Sequence, residues 1–441
     1  FFASMIADQG IGTALVQRMN LDPAHLDTAF WFNSACSVVL CLGTIALARP
    51  ISLLFHEPRL TRLLCWSSLA LVFNAMSAIH GTLFIRSMDF RRPAIRALVA
   101  NVAGGAVGVG MAVAGYGVWA LVGQQLVSAL AGAIFLWSAS SYRPSLRFSW
   151  PHLRDLFGVS SSILATSFLW FFSSRLDQII IGRFAGVPVL GLYVIGGKVP
   201  DMANTMTQQP MTEVSLPALS RLQDDHPKLR KAIYSGMELN ALVAFAVFVG
   251  IAAIASDLVP FLFGAKWTSA GNLCALLSLS ALVTSLQVFF YPALMATGGA
   301  GSYVFLSVCH AVGVAVACWV GIQFGVTWVV TGLIANNLIL VGPSMLYLRK
   351  RIGLSPLEYC RPCLMPALAS LVMGLAIWAA GWVLPMNVPL AVRLACKVCL
   401  GGIAYLGFVF FFAPAALGQL MRTFGHAFRR PPILPAVSPS T

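Results

Sequence analysis

Residues 241–255 read ALVAFAVFVGIAAIA, a run with no charged and no hydrogen-bonding side chain. In water such a run would need cover on every side, whereas in a bilayer about 20 apolar residues simply make one crossing. Extended to 233–255, the stretch is long enough to span. Comparable windows, bounded by charges or Gly/Pro clusters, lie near 29–48, 62–85, 94–114, 116–137, 156–185, 189–216, 271–297, 302–322, 326–348, 364–384 and 391–412, after an incomplete apolar stretch at 1–17. Of the 441 residues, 59% are hydrophobic and 10% charged, which excludes a water-soluble globule. Backbone groups in hydrocarbon must pair among themselves, so only helices or closed barrels can span, and these runs lack the alternation of barrel strands. The expected fold class is an all-α, polytopic membrane protein.

Lys and Arg number 28 against 14 Asp and Glu, a formal net charge of +14. If the loop after residue 17 is cytoplasmic and the spans alternate, nineteen of those cations fall on the cytoplasmic side and six on the other. The excess is therefore topological. It sets the N-terminal side and the C-terminal tail in the cytoplasm, and no nucleic-acid partner is expected.

Compared with itself at a shift of 208, the chain aligns ISLLF (51–55) with VPFLF (259–263), Gly105 with Gly313, and Gly117-Val118 with Gly325-Val326, each of the last pair soon followed by a Trp. One shift that holds over such a distance with helix order preserved predicts two six-helix lobes related by a pseudo-two-fold axis along the membrane normal, plus a C-terminal helix pair. The expected boundaries are 1–148 for an N-terminal lobe, 149–351 for a C-terminal lobe, 352–414 for the extra pair and 415–441 for a cytoplasmic, disordered tail. By the same register, the expectation is that a first helix and part of a second are missing upstream of Phe1.

A charge inside a bilayer is retained only where it faces a cavity or a partner. At 100° per residue, Lys198, Asp201, Thr205, Gln208, Gln209 and Thr212 fall within an arc of about 100°, while Pro200, Pro210 and Pro217 lie largely opposite. Either this is a wet stripe, or Lys198 and Asp201 neutralise one another and the amides tie helices together. One helix earlier, Arg175 shares a side with Gln178 and Arg183, and Asp177 points elsewhere. Asp177 and Asp201 are candidates for ion coupling or for a structural ion pair; Arg175 is the candidate for an anionic substrate, since its planar fork suits phosphate. In the first lobe, Asp8, Gln9, Asn74, Ser77 and His80 are weaker counterparts, His80 being read as a hydrogen-bonded helix contact. His310 has no evident acidic partner.

No Walker sequence occurs, and Gly298–Ser302 sits at a helix turn rather than a strand-to-helix elbow. The Cys360/Cys363 and Cys396/Cys399 pairs have metal-like spacing but fall near opposite membrane faces, so no metal and no cofactor is expected.

The order of several short motifs resembles one family: DQGIGTALVQR (8–18), TAFWFN (28–33), GVWALV (117–122), RLDQIIIGRFAG (175–186), LGLY (190–193), LPALSRLQDD (216–225) and LFGAKW (262–267). They resemble the polysaccharide exporters of the MOP superfamily, the Wzx-type flippases of lipid-linked oligosaccharides and relatives of MATE exporters. The resemblance implies a two-lobed, alternating-access transporter in the bacterial inner membrane rather than an enzyme. Its implied substrate is an undecaprenyl-diphosphate-linked oligosaccharide for surface or exopolysaccharide synthesis. Its implied partners are that lipid-linked glycan, membrane lipid and a glycan polymerase or export complex. Arg175, Lys198, Gln208, Gln209, Thr205 and Thr212 would then contact the diphosphate and sugar. A MATE-like drug or cation exporter is the rival within transport, and a glycan ligase, polymerase or scaffold is the rival outside it.

Overall fold

The computed structural model describes Leu15 and residues 22–87, 89, 91–154, 175–383 and 388–412. Asp8 and Gln9, most of the expected 1–17 stretch, the first part of the 156–185 span and the 415–441 tail lie outside the described residues. The chain divides into two compact units, 1–175 and 176–441. Unit 1 contains α1 (Pro23–Leu54), α2 (Arg59–Arg86), α3 (Arg91–Val113) and α4 (Trp119–Ala139). Unit 2 contains α5 (Val187–Ser220), α6 (His226–Phe263), α7 (Ala270–Ser285), α8 (Phe290–Ala296), α9 (Ala300–Gly321), α10 (Val326–Ile352), α11 (Pro356–Val383) and α12 (Leu390–Phe412).

Among the described residues, ten helical stretches are long and apolar enough to cross a membrane, α7 and α8 being taken as one. α5 is not among the ten; it carries Lys198, Asp201, Gln208 and Gln209. Large apolar side chains such as Trp378, Trp382, Ile403 and Phe411 stand exposed, as they must where hydrocarbon rather than water is the solvent. Local signals set the ends. Asp225 accepts the Lys228 backbone N–H at 3.1 Å and Pro227 opens the first turn of α6. Gly353, at φ 68, closes α10 in the left-handed conformation.

In unit 1, α1 pairs with α2 and α3 with α4, and α2 also packs on α4. Its core gathers Leu15, Ala29, Phe30 and Ile79 with Trp31, Trp137 and Tyr142 against them. In unit 2, α6 is the centre: α7, α11 and α12 all pack on it. One core near its start joins Leu229, Ile233 and Met237 to Phe289, Phe290, Leu348 and Tyr359. A second joins Leu242 and Ile254 to Met373, Ile377 and Tyr405 of the last two helices.

Shifted by 208, the bounds of α1, α2, α3 and α4 fall on α6, α7–α8, α9 and α10 to within about five residues. The match extends to packing. A Cβ on Gly104 would stand 1.9 Å from Ser128 Oγ, and one on Gly313 would stand 1.8 Å from Asn336 Oδ1, so α3/α4 and α9/α10 each approach over a glycine. Ser128 and Asn336 are 208 apart, but the glycine facing the partner helix in unit 1 is Gly104, not the Gly105 expected from the alignment, which has open space beside it.

The 271–297 span differs from expectation: it is two helices with a break at 286–289. Pro292 has no N–H to give the Val288 carbonyl four residues back, which favours a break here, although α6 and α10 run through Pro260 and Pro343. The released carbonyls find other donors. Asn240 Nδ2 bonds Ser285 O at 3.0 Å, and the Tyr359 hydroxyl bonds Leu286 O at 2.6 Å. Carbonyls freed inside a membrane need such partners.

Candidate functional site

Residues 175–184 are helical, Gly186 turns the chain at φ 87, and α5 follows. α5 is seated by a small residue: a Cβ on Gly196 would lie 3.0 Å from Leu273 Cβ and 3.1 Å from Ala270 O, so the Gly196 side lies tight against α7. Lys198 is about 160° away around the helix from Gly196, which turns it off that contact. Lys198, Asp201, Thr205 and Gln209 are exposed, and Thr212 is half-buried. Met202 and Met206 are exposed beside them, so the face alternates charged or amide groups with pliable thioethers.

The polar members of this face are not equivalent. Thr205 Oγ1 donates to Asp201 O at 2.9 Å, and Thr212 Oγ1 donates to Gln208 O at 3.1 Å, so both hydroxyls are spent on their own helix. Gln208 is buried; its Nε2 contacts Thr207 Oγ1 at 3.3 Å, while its Oε1 has no partner among the described residues. Lys198 makes no hydrogen bond or ion pair among the described residues, which leaves its ammonium able to meet an anion.

Asp177 and Arg175 are half-buried in the preceding helical segment. The buried Tyr193 of α5 donates its hydroxyl to Asp177 Oδ2. A carboxylate at this depth is thus tied to the next helix by a neutral donor, within a core that includes Ile181, Leu273, Val314 and Val330. The guanidinium of Arg183 lies 5.6 Å from the Phe184 ring centroid.

Three features were not read from the sequence. The first is the ion cluster in which Arg393 and Lys397 of α12 both bond Asp257 of α6, Lys397 at 2.6 Å; Asp257 is 6% exposed. The i, i+4 spacing of the two cations and a lone carboxylate in an apolar helix are the signal the sequence offers for it. The second is an amide network in unit 2: His310 Nε2 lies 3.2 Å from Asn337 Oδ1, Asn336 Nδ2 donates to His310 O at 3.4 Å, and Gln287 Nε2 donates to Asn337 O at 3.0 Å. The third is His80. It is fully buried, and neither ring nitrogen has a hydrogen-bond partner among the described residues, unlike the hydrogen-bonded contact expected of it. It packs instead among Trp137, Tyr142 and Phe30, with ring centroids at 4.8, 5.5 and 6.5 Å.

Many helices long and apolar enough to cross a membrane, in two units and with a polar face on a helix of the second, make the chain a multi-pass membrane protein. Its fold is similar to that of the lipid II flippase MurJ in an inward closed conformation, at a TM-score of 0.78 over 95% of this chain and 90% of that one, with 14% identity. The sequence matches the family described as "Polysaccharide biosynthesis protein" over residues 1–272, and the chain belongs to that family. Among curated relatives, it is 25% identical over 297 residues to the succinoglycan biosynthesis transport protein ExoT of Rhizobium meliloti (strain 1021), which covers 67% of this chain and 60% of that protein. It is 25% identical over 289 residues to the lipopolysaccharide biosynthesis protein WzxC of Escherichia coli (strain K12), covering 64% of this chain and 58% of that one. The chain thus spans about 60% of the length of these two relatives.

Proposed function

We propose that the protein moves a lipid-linked oligosaccharide across the bacterial inner membrane by alternating access, for surface or exopolysaccharide synthesis. The observation that carries this reading is the exposed polar face of α5, on which Lys198, Asp201, Thr205 and Gln209 lie in a chain of the polysaccharide biosynthesis family. A diphosphate crossing hydrocarbon needs cationic and hydrogen-bonding contacts, while its polyprenyl tail can stay in lipid. In this reading Lys198 and Arg175 meet the diphosphate, with Gln208, Gln209, Thr205 and Thr212 facing the sugar or the water around it. Asp177 and Asp201 hold the polar balance of the site or carry the coupling ion. The excess of cations on alternate loops supports a cytoplasmic N-terminal side and C-terminal tail. The expected lobes are 1–148 and 149–351, followed by a helix pair over 352–414 and the tail.

The test replaces Lys198 and Arg175 by Gln in the protein expressed from its intact gene, and follows appearance of the lipid-linked glycan on the outer face. Loss of one charge-assisted contact to a phosphate is worth about 2 kcal/mol, so each substitution should slow translocation by tenfold or more. Unchanged translocation in the double variant, at equal protein level, would remove these side chains from the site.

A further inference from the structure

The segment that follows α4 is strapped onto the first turns of α1. Asp27 is buried there and accepts the Tyr142 hydroxyl at 2.7 Å, the Ser145 backbone N–H at 3.1 Å and the Ser145 hydroxyl. Thr28 Oγ1 accepts the Ser149 N–H at 3.1 Å, and Trp31 Nε1 donates to Ser145 O at 2.8 Å. The strap carries His152 back to the start of α1, where its ring meets that of His25 edge to face at 4.2 Å between centroids. Asp22, the N-cap of α1, stands beside them. One ligand atom from each of Asp22, His25 and His152 lies within 4.8 Å of the other two, although the residues are separated by up to 130 positions in the chain.

We propose that Asp22, His25 and His152 bind a divalent transition-metal ion of the Zn²⁺ class and so clasp the strap to α1. The donor set selects the class: two imidazoles and one carboxylate suit zinc and its neighbours, whereas Mg²⁺ and Ca²⁺ require oxygen ligands. The rings are already oriented. His25 Nδ1 accepts the Asp22 backbone N–H at 3.3 Å, so its single lone pair is turned toward Asp22, and a metal at that nitrogen replaces this long bond. His152 Nδ1 lies 2.5 Å from Ser149 Oγ, the kind of second contact that fixes a ligating imidazole and leaves its other nitrogen for the metal. Zinc at about 2.0–2.1 Å from each nitrogen holds tetrahedral ligands about 3.3 Å apart, so a closure of about 1.5 Å would complete the site. Asp22 is exposed and His152 half-buried, so both can make that movement. Three protein ligands leave further positions to water.

The surrounding charge sets the affinity. The positive end of α1 opposes a bound cation, as do the cations Arg143, Arg147 and Arg154 carried by the same stretch of chain as His152, while the Asp22 carboxylate favours it. Arg143 is partly engaged elsewhere, donating to Ser140 O at 2.7 Å and Tyr142 O at 2.8 Å. Binding should therefore be weaker than at a closed structural zinc site. Spacing alone hides the cluster, because only the strap brings His152 to the Asp22/His25 pair.

The experiment uses the detergent-solubilised protein with an affinity tag that contains no histidine. After equilibration with Zn²⁺ and removal of unbound metal, about one equivalent should remain, and the unfolding temperature should rise. His152→Gln and Asp22→Asn, the latter keeping a good N-cap, should each weaken binding by about tenfold or more and abolish the rise, with metal-free unfolding unchanged. Co²⁺ in place of Zn²⁺ should show no thiolate charge-transfer band. The proposal is overturned if no metal is retained, if retention survives both substitutions, or if the cobalt spectrum reports cysteine ligands.

Discussion

α2 and the α7–α8 pair occupy the same place in the two repeats but handle buried polar groups in opposite ways. α2 runs unbroken from Arg59 to Arg86 and encloses His80, with no hydrogen bond to either ring nitrogen among the described residues. Its counterpart is broken at 286–289, upstream of Pro292, where the 208 shift places Phe84 in α2. There the released carbonyls are taken by Asn240 of α6 and Tyr359 of α11. In α2, shape is regular and His80 goes without a hydrogen-bond partner among the described residues; in α7–α8, shape is irregular and side chains from other helices restore the balance. The difference also assigns a role to the last two helices, for which the described part of unit 1 has no equivalent. α11 supplies Tyr359 to the break and α12 supplies Arg393 and Lys397 to Asp257, so both are built into unit 2 through buried polar ties.

The largest effect should come from the ion cluster. Asp257→Leu leaves Lys397, 11% exposed, and Arg393, 24% exposed, without their counter-charge, and should lower stability in detergent by about 3 kcal/mol. The triple apolar replacement of Asp257, Arg393 and Lys397 should recover most of that loss in the same denaturant titration. A harmless Asp257→Leu would mean that α12 is not anchored there. Tyr359→Phe should come next, at about 1–2 kcal/mol, because it strands the Leu286 carbonyl in an apolar surround. Smallest is His80→Leu. Removing two unpartnered nitrogens from among aromatic rings should leave stability within about 1 kcal/mol of the parent, with a gain rather than a loss. A loss of several kcal/mol would show that His80 has a polar role in unit 1, and the contrast between the repeats would collapse.

Much of the fold was legible because the bilayer imposes one long apolar window per helix. The spans centred on α1, α3, α9 and α12 differ from the observed helices only at their ends. The α7–α8 break escaped because an apolar window does not register a backbone break, and a proline alone does not announce one, since Pro260 and Pro343 lie inside unbroken α6 and α10. The helical face of α5 was legible too, since 100° per residue suffices to group Lys198, Asp201, Thr205 and Gln209. What each of these groups touches was not. Asp177 meets Tyr193, sixteen residues on, and Asp257 meets cations 136 and 140 residues away; such pairings come from tertiary packing, which no local period encodes.

The most direct test of the transport account is made in a flippase-deficient cell that accumulates lipid-linked precursor on the cytoplasmic side. The protein expressed from its intact gene, given the matching glycan pathway, should clear that precursor and restore surface polysaccharide, and its Lys198→Gln/Arg175→Gln variant should not. Precursor that stays cytoplasmic across a panel of glycan pathways, with the protein present in the membrane, would contradict translocation of a lipid-linked oligosaccharide.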